Sequence, residues 1–309
     1  MKKTSLRNPL LLFLTAAIWG AAFVAQSVGM DYVEPFTFNF ARSIIGGIVL
    51  LPCILFLDGQ KKKAGGRTPA DFSRQTADRH ALLLGGVCCG VALFVASALQ
   101  QIGIQYTTVG KAGFITAMYI VLVPVFGIFL KKKAGGRLWL CVLLAVAGLY
   151  LLCITEGFTV GGGDLLVLLC AAAFAVHILV IDHFSPLADG VRMSCIQFFV
   201  CGLLSGVAML LFETPSPAAI WQARLPIGYA GVLSCGVAYT LQIVAQRGMD
   251  PTVASLILSL ESVFSVLFGW LLLGQSLAPR ELSGCVLMFA AIILAQLPEK
   301  GKNIDTESL

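Results

Sequence analysis

The chain has little charge. Asp, Glu, Lys and Arg make up 12% of its 309 residues, whereas about 25% is usual for a soluble protein. Hydrophobic residues make up 58%. A soluble protein of this length covers its surface with polar groups, and this composition does not supply enough of them. The shortage predicts an integral membrane protein, so the formal net charge of +5 is informative only once the charges are placed along the chain.

Sequence signals for common enzymes and metal sites are also missing. The chain has no Walker A string, no HExxH, no nucleophile elbow and no CxxC. Its ten cysteines lie in apolar runs, and its three histidines have no metal-ligand spacing with them. This pattern favours cysteines as small apolar fillers over a disulfide framework or a metal site. We therefore expect no cofactor and no ATP-binding domain.

One string resembles a protease signature. Gly161–Asp164 fits the Gly-x-Gly-Asp pattern of intramembrane aspartyl proteases. That chemistry needs a second aspartate facing the first inside the membrane, and Asp182 lies at the opposite end of the same apolar run. We interpret Asp164 instead as the N-cap of the helix that begins there.

Long apolar runs follow one another along the whole chain. A bilayer core of roughly 30 Å needs about 20 apolar residues in a helix. Ten runs approach this length, at residues 9–29, 35–57, 81–104, 107–130, 138–154, 164–184, 191–212, 226–246, 250–273 and 279–297. They predict an all-α integral membrane protein with ten transmembrane helices.

The basic residues are distributed unevenly between the loops. With the N-terminus inside, 17 of the 21 Lys and Arg residues lie in cytoplasmic segments, and only Arg224 and Arg280 lie in outer loops. The positive-inside rule therefore places both termini in the cytoplasm, and we expect a plasma-membrane protein.

The string KKKAGGR occurs twice, at Lys61–Arg67 and Lys131–Arg137, on the predicted cytoplasmic side both times. Its lysines are expected to stop helices at the lipid headgroups and to attract anionic lipids. Its Gly-Gly pair is expected to let the chain turn out of the helix without strain at Cβ. Nothing else favours nucleic-acid binding, so we predict lipids and a small-molecule substrate as partners, and a monomer or homodimer.

The chain divides into two related halves, at residues 1–157 and 158–298, followed by a cytoplasmic tail at 299–309. The matching segments are Leu11–Leu14 with Leu165–Leu168 and Cys141–Leu144 with Cys285–Met288. Each half has an odd number of helices, so the second half must enter the membrane upside down. Inverted repeats of this kind place a substrate site near the midplane, where the halves meet.

These features, together with four short motifs, resemble the drug/metabolite transporter superfamily, and within it the EamA-type ten-helix permeases. The motifs are Ala17–Phe23, Phe40–Arg42, Gln105–Ala112 and Leu260–Phe264. The resemblance implies export or exchange of small metabolites through a cavity lined mainly by helices 1, 3, 4, 6, 8 and 9. The family usually has Glu-Pro where this chain has Glu261-Ser262.

Polar side chains inside the runs mark the candidate site, because each needs a partner or a cavity in hydrocarbon. The predicted substrate-binding residues are Trp19, Gln26, Gln101, Lys111, Tyr119, Phe174, His177, Tyr239, Gln242 and Glu261. Other interpretations remain open: a packing seam for the helix 1 residues, snorkelling to water for Lys111, and a structural partner for Glu261. Arg42 is expected to be a structural charge near the cavity mouth.

The resulting hypothesis is a secondary active transporter, an exporter or exchanger that rocks its halves by alternating access. Glu261 favours a cationic substrate and Lys111 an anionic one, so together they favour zwitterions such as amino acids. The alternatives are a membrane-embedded enzyme acting on lipid-linked substrates, which needs converging carboxylates, and a scaffold protein.

Overall fold

The structure is a computed structural model, and it describes residues 6–63, 70–107, 109–132, 135–153, 161–273 and 278–297. Each of the ten predicted apolar runs is helical, and the described ranges contain no strand. The all-helical prediction is therefore confirmed for this part of the chain. The predicted tail at 299–309 lies outside it.

We number the helices by the ten runs. They are α1 (Arg7–Gly29), α2 (Pro35–Lys63), α3 (Ala70–Ile104), α4 (Val109–Ala117 and Tyr119–Phe129), α5 (Gly136–Cys153), α6 (Gly162–Phe184), α7 (Gly190–Phe212), α8 (Arg224–Tyr229, Ala230–Tyr239 and Thr240–Gln246), α9 (Pro251–Leu258 and Glu261–Leu273) and α10 (Pro279–Gln296). Among the described residues, nine helices are long and apolar enough to cross a membrane, and Gly136–Leu151 is a shorter apolar helix. The count of ten spans stays a prediction.

Three of the ten runs are not single α-helices, which the apolar pattern did not predict. α4 is interrupted at Met118 and α9 at Ser259–Leu260, and the middle of α8, Ala230–Tyr239, is a π-helix. In α4, Pro124 has no N–H to donate to Ile120 O, which weakens the helix in the turn after the interruption. α9 has no proline at its interruption.

The helices pack in an ordered pattern. α2 runs along α7, α5 runs along α10, and α3 contacts both α6 and α7. α1 contacts α8 and the second segment of α9, while both segments of α4 contact α6. This arrangement gathers α1, α4, α6, α8 and α9 around a common centre, with α3 along one side.

The outer surface carries large exposed apolar side chains, and most of the described cysteines are buried in the interior. Leu55 is 72% exposed, Phe129 82% and Leu210 74%. Contiguous apolar surface of this kind suits contact with lipid tails. All nine cysteines whose side chains the structure describes are free, and seven of them are buried, in agreement with their predicted role as fillers.

Helices α2 and α7, which run along each other, are joined at both ends by side-chain hydrogen bonds. The Glu213 carboxylate, just after α7, accepts hydrogen bonds from Phe36 N at 2.6 Å and from Thr37 N and Oγ1, both at 2.7 Å. At the opposite end, Arg192 Nη2 lies 2.6 Å from Asp58 Oδ1 and 2.7 Å from Oδ2. These polar contacts lie at the ends of the helices and leave the centre of the bundle free for other groups.

In the second copy of KKKAGGR, residues 133–134 lie outside the described ranges, so the predicted turn at its Gly-Gly pair stays a prediction. The positive φ, 59°, is at Lys131, and Lys132 N donates to Gly127 O at 2.9 Å, which closes the end of α4. Gly136 begins α5. Lys132 forms an ion pair with Asp182 near the end of α6. In the first copy, Lys61–Lys63 end α2, and residues 64–69 lie outside the described ranges.

The predicted N-cap of α6 was wrong. Gly161 is the N-cap, and Asp164 occupies the third helical position, where its Oδ2 accepts from Gly161 N at 2.8 Å. Its Oδ1 accepts from Thr107 Oγ1 at 2.6 Å. Asp164 therefore joins the start of α6 to the end of α3, and its oxygens serve structural hydrogen bonds.

Candidate functional site

A cavity lies at the centre of the bundle. It contains about 470 Å³ of empty space, counting the part that is open to the surroundings. Enclosed space is a small part of this: the cavity proper has a volume of about 30 Å³, which is room for a few water molecules in this conformation. Its lining residues are Trp19, Ala22, Phe23, Gln26, Arg42, Gln100, Tyr119, Phe174, His177, Ile178, Ser234, Tyr239, Gln242, Leu258 and Glu261.

Along the helix axes, the cavity lies closer to one end of the bundle than to the other. On α1 its lining residues run from Trp19 to Gln26, in the second half of the helix. The first half is packed into the largest buried cluster, in which Leu12, Ala16 and Val123 are fully buried. The bundle is therefore filled at the end where α1 begins, and the cavity reaches toward the end where α1 finishes.

The structure brings eight of the ten predicted residues together around this cavity. They are Trp19, Gln26, Tyr119, Phe174, His177, Tyr239, Gln242 and Glu261. Gln101 is fully buried beside them, and its Nε2 donates to Gln26 O at 3.3 Å. Lys111 lies in the first segment of α4, but its side chain is outside the described part of the structure. Whether any of these residues bind substrate stays a prediction.

The interruptions of α4 and α9 meet at the cavity. Tyr119 is the first residue of the second segment of α4, and Glu261 is the first residue of the second segment of α9. Tyr119 Oη donates to Glu261 Oε1 at 2.9 Å. Glu261 is 5% exposed and Tyr119 is 3% exposed. One buried hydrogen bond thus joins two broken helices.

Aromatic rings form one wall. The Trp19 and Tyr239 ring centroids are 4.5 Å apart with the planes tilted by 56°. The His177 and Tyr239 rings are nearly perpendicular, with centroids 5.9 Å apart, and the Phe198 ring packs against Tyr239 in the same way at 5.7 Å. Aromatic faces attract cations within about 6 Å of the ring centroid, so this wall suits an ammonium or other onium group.

Several buried polar atoms at the cavity have no hydrogen-bond partner among the described residues. They are Trp19 Nε1, His177 Nδ1 and Gln242 Oε1. His177 Nε2 lies 3.1 Å from Gln197 Oε1, so the ring is held on one side and presents its other nitrogen. Buried polar atoms are normally paired, and unpaired ones in a cavity lining are available to a polar ligand or to water.

Two groups of opposite charge line the same cavity. Arg42 is 4% exposed, its Nη1 donates to Gln26 Oε1 at 3.3 Å, and its guanidinium lies 5.7 Å from the Phe38 ring centroid. Within the described ranges, neither Arg42 nor Glu261 belongs to an ion pair. Burying a charge without an opposite charge beside it is costly. The cavity lining therefore contains one guanidinium and one carboxyl group, each of which a ligand of opposite charge can pair.

Comparison with known proteins agrees with this architecture. The model of the EamA-like transporter family matches the chain twice, over residues 7–154 and 161–297. The chain belongs to the EamA-like transporter family. The resemblance read from the four sequence motifs is confirmed.

Two proteins named as transporters and a solved structure are similar to the chain over most of its length. An uncharacterized transporter of Archaeoglobus fulgidus is 32% identical over 292 residues, which cover 93% of this chain and 84% of that protein. An S-adenosylmethionine/S-adenosylhomocysteine transporter of Chlamydia muridarum is 25% identical over 287 residues, covering 87% and 85%. A crystal structure with 18% sequence identity has a TM-score of 0.73 and covers 94% of this chain and 96% of its own, which shows a shared fold. The EamA-like relatives are transporters, so the chain is a membrane transporter and the enzyme alternative is dropped.

Serines stand near the interruption of α9 where the EamA family usually has proline. Ser259 Oγ donates to Leu256 O at 2.8 Å, and Ser265 Oγ donates to Ser262 O at 2.8 Å. Ser262 Oγ donates to Gly113 O on α4 at 3.0 Å. Hydroxyls that bond to backbone carbonyls compete with the helix ladder and bend helices. The helix is therefore interrupted before Glu261 without the family proline.

Sequence reasoning missed part of the lining of this EamA site. Arg42, expected to be structural, lines the cavity, as do Gln100 and Ser234. The signal for Arg42 was present, because an ionisable residue inside a span is a functional candidate by default. Ser234 carried no signal, since small hydroxyl residues are common in packed membrane helices.

Proposed function

We propose that this EamA-like protein is a secondary active transporter, an exporter or exchanger, of small zwitterionic metabolites such as amino acids. The observation that carries the proposal is the presence of Arg42 and Glu261 in the lining of one buried cavity. In this assignment Glu261 and the rings of Trp19 and Tyr239 receive the ammonium group. Arg42 receives the carboxylate, a role that the sequence hypothesis gave to Lys111.

The mechanism that we propose is alternating access between two inverted five-helix repeats, residues 1–157 and 158–298. The two family matches, at 7–154 and 161–297, support this division. The packing supports it as well: if each helix of the first half corresponds to the helix five places later, the α2–α7 and α5–α10 pairs map onto themselves and α3–α6 maps onto α8–α1. The interrupted helices α4 and α9 correspond in the same way.

The chemistry of one relative's substrate is consistent with this site. S-adenosylmethionine, named for the Chlamydia muridarum protein, is an amino acid that also carries a sulfonium cation. An aromatic wall with a nearby carboxylate suits either cation. Because the chain has no Walker A string, we infer that a gradient or an exchanged metabolite supplies the energy.

The test is solute counterflow into proteoliposomes, run with pairs of compounds. In each pair, the counterflow of an amino acid is compared with that of the corresponding amine, which lacks the carboxylate. S-adenosylmethionine and its decarboxylated form make one such pair. We expect wild type to prefer the amino acid, and Arg42→Gln to lose at least about tenfold in apparent affinity for it while the amine is little changed, because a charged hydrogen bond contributes roughly 1.5–3 kcal/mol.

The matched control is Arg224→Gln, which removes an arginine whose Nη1 donates to Trp221 O at 3.0 Å, in an exposed position away from the cavity. It should transport like wild type. Absence of counterflow for every compound, with the wild-type protein correctly inserted, contradicts the proposed substrate class.

We further propose that both termini are cytoplasmic and that the protein resides in the plasma membrane. The basic loops support this orientation, since Arg79, Lys131 and Arg137 share the predicted inner side. A reporter that is active only in the cytoplasm, fused to Leu309, should be active. Activity of a reporter that works only outside the membrane, at the same position, contradicts the orientation.

A further inference from the structure

The interrupted helices α4 and α9 cross at the level of their breaks. The first segment of α9 packs against the second segment of α4, and the second segment of α9 packs against the first segment of α4. Two side-chain hydrogen bonds join the two helices in the described ranges: Tyr119 Oη to Glu261 Oε1, and Ser262 Oγ to Gly113 O. The first reaches the second segment of α4 and the other reaches the first segment.

Only one of these two hydrogen bonds is accessible to a ligand in the cavity. Ser262 binds a backbone carbonyl and does not line the cavity. Tyr119 and Glu261 both line it, so a ligand in the cavity can compete for their bond. The hydroxyl and an ammonium group would both form charge-assisted bonds with this carboxylate, but only the ammonium brings a full opposite charge, which makes it the stronger partner in a buried site.

We propose that Tyr119 is a positioning residue that holds Glu261 and joins the two helix interruptions in the empty cavity, and that the substrate ammonium displaces its hydroxyl. Binding then removes the hydrogen bond between the second segment of α4 and the second segment of α9, while Ser262 keeps the first segment of α4 bonded to α9. This inference rests on the proposed function, which gives the ammonium group to Glu261. The sequence prediction made Tyr119 a substrate-binding residue. In this inference Tyr119 instead forms a hydrogen bond to Glu261 that the substrate displaces.

The first test needs no ligand. Amide hydrogen exchange is measured by mass spectrometry on the purified full chain in lipid nanodiscs, for wild type and Tyr119→Phe. The substitution removes the hydroxyl and keeps the ring. We expect exchange to become about tenfold faster at both interruptions, over residues 118–122 and 259–264, because the bond to a charged acceptor is lost from both sides.

The matched control is Tyr229→Phe, which removes another tyrosine hydroxyl, one that donates to Ile18 O at 3.0 Å between α8 and α1. It should leave both interruptions unchanged. Faster exchange on the α4 side alone, or on neither side, overturns the inference, because the hydroxyl then does not join the two breaks.

The second test separates displacement from substrate contact. The binding affinities for S-adenosylmethionine and L-methionine are measured with wild type, Tyr119→Phe and the control Tyr229→Phe. If the substrate displaces the hydroxyl, Tyr119→Phe binds the compounds more tightly, by about tenfold, because there is no bond left to break. If Tyr119 contacts the substrate or only supports the fold, binding weakens, which overturns the displacement. If neither compound binds wild type, the proposed substrate class fails. The amide exchange of Tyr119→Phe then still shows whether the hydroxyl joins the two helix interruptions, because that measurement needs no ligand.

Discussion

Glu261→Gln is expected to abolish transport while the protein still folds and inserts. The substitution keeps the size and shape of the side chain, and the amide oxygen can still accept from Tyr119 Oη, so the interrupted helices keep their contact. It removes the negative charge, and no other carboxylate lines the cavity in the described part of the chain. Losing one partner of a buried charge pair costs about 2–5 kcal/mol, so affinity should fall roughly 30-fold or more.

The measurement is counterflow and direct binding with the compounds that wild type accepts, together with thermal stability in detergent. Glu281→Gln is the matched control. Glu281 Oε2 accepts from Ala278 N at 2.6 Å at the start of α10, where Gln serves the same capping role, so this variant should behave like wild type. Wild-type transport by Glu261→Gln removes Glu261 from the mechanism and leaves it as a structural partner of Tyr119.

Much of the fold could be predicted from the sequence because the membrane limits the choices. A chain in lipid satisfies its backbone internally, so an apolar run of sufficient length becomes a helix. The candidate site could be predicted because polar side chains are costly in hydrocarbon unless they face a cavity or a partner. Glu261, His177 and Gln242 are such side chains, and all three line the cavity.

The positions of the interruptions could not be predicted, because residues that weaken a helix, such as Ser259, occur in membrane helices that are not interrupted. Met118 lies in an apolar run with no helix-breaking residue beside it, and the α9 break follows Leu258 without a proline. The π-helix Ala230–Tyr239 likewise has no composition that separates it from an α-helix. Arg42 was assigned by analogy to a structural role, and only the three-dimensional arrangement places it beside Gln26 in the cavity lining.

Gly20→Ala is expected to be the most damaging small substitution in the bundle. At Gly20, α1 approaches the second segment of α9 so closely that an added Cβ would lie 2.3 Å from Phe264 Cβ and 2.7 Å from Phe264 C. The second of these atoms is backbone, so a helix must move. Overpacking of this kind costs about 1–3 kcal/mol, and membrane helices rely on such small-residue contacts because lipid supplies no hydrophobic drive.

The substitution should impair transport as well as lower stability. Trp19 precedes Gly20, and Glu261 is the first residue of the segment of α9 that Gly20 contacts, so a shift of either helix moves cavity-lining residues. We expect Gly20→Ala to melt earlier in detergent and to lose most of its counterflow. The control is Gly113→Ala, also beside α9, where an added Cβ would meet Ser265 Oγ at 3.6 Å, an ordinary contact. That variant should be neutral or slightly stabilised, since Ala favours helix by up to about 1 kcal/mol over Gly. Equal behaviour of the two variants contradicts the close approach of α1 to α9, and with it the rigid α1–α9 contact that positions the cavity wall.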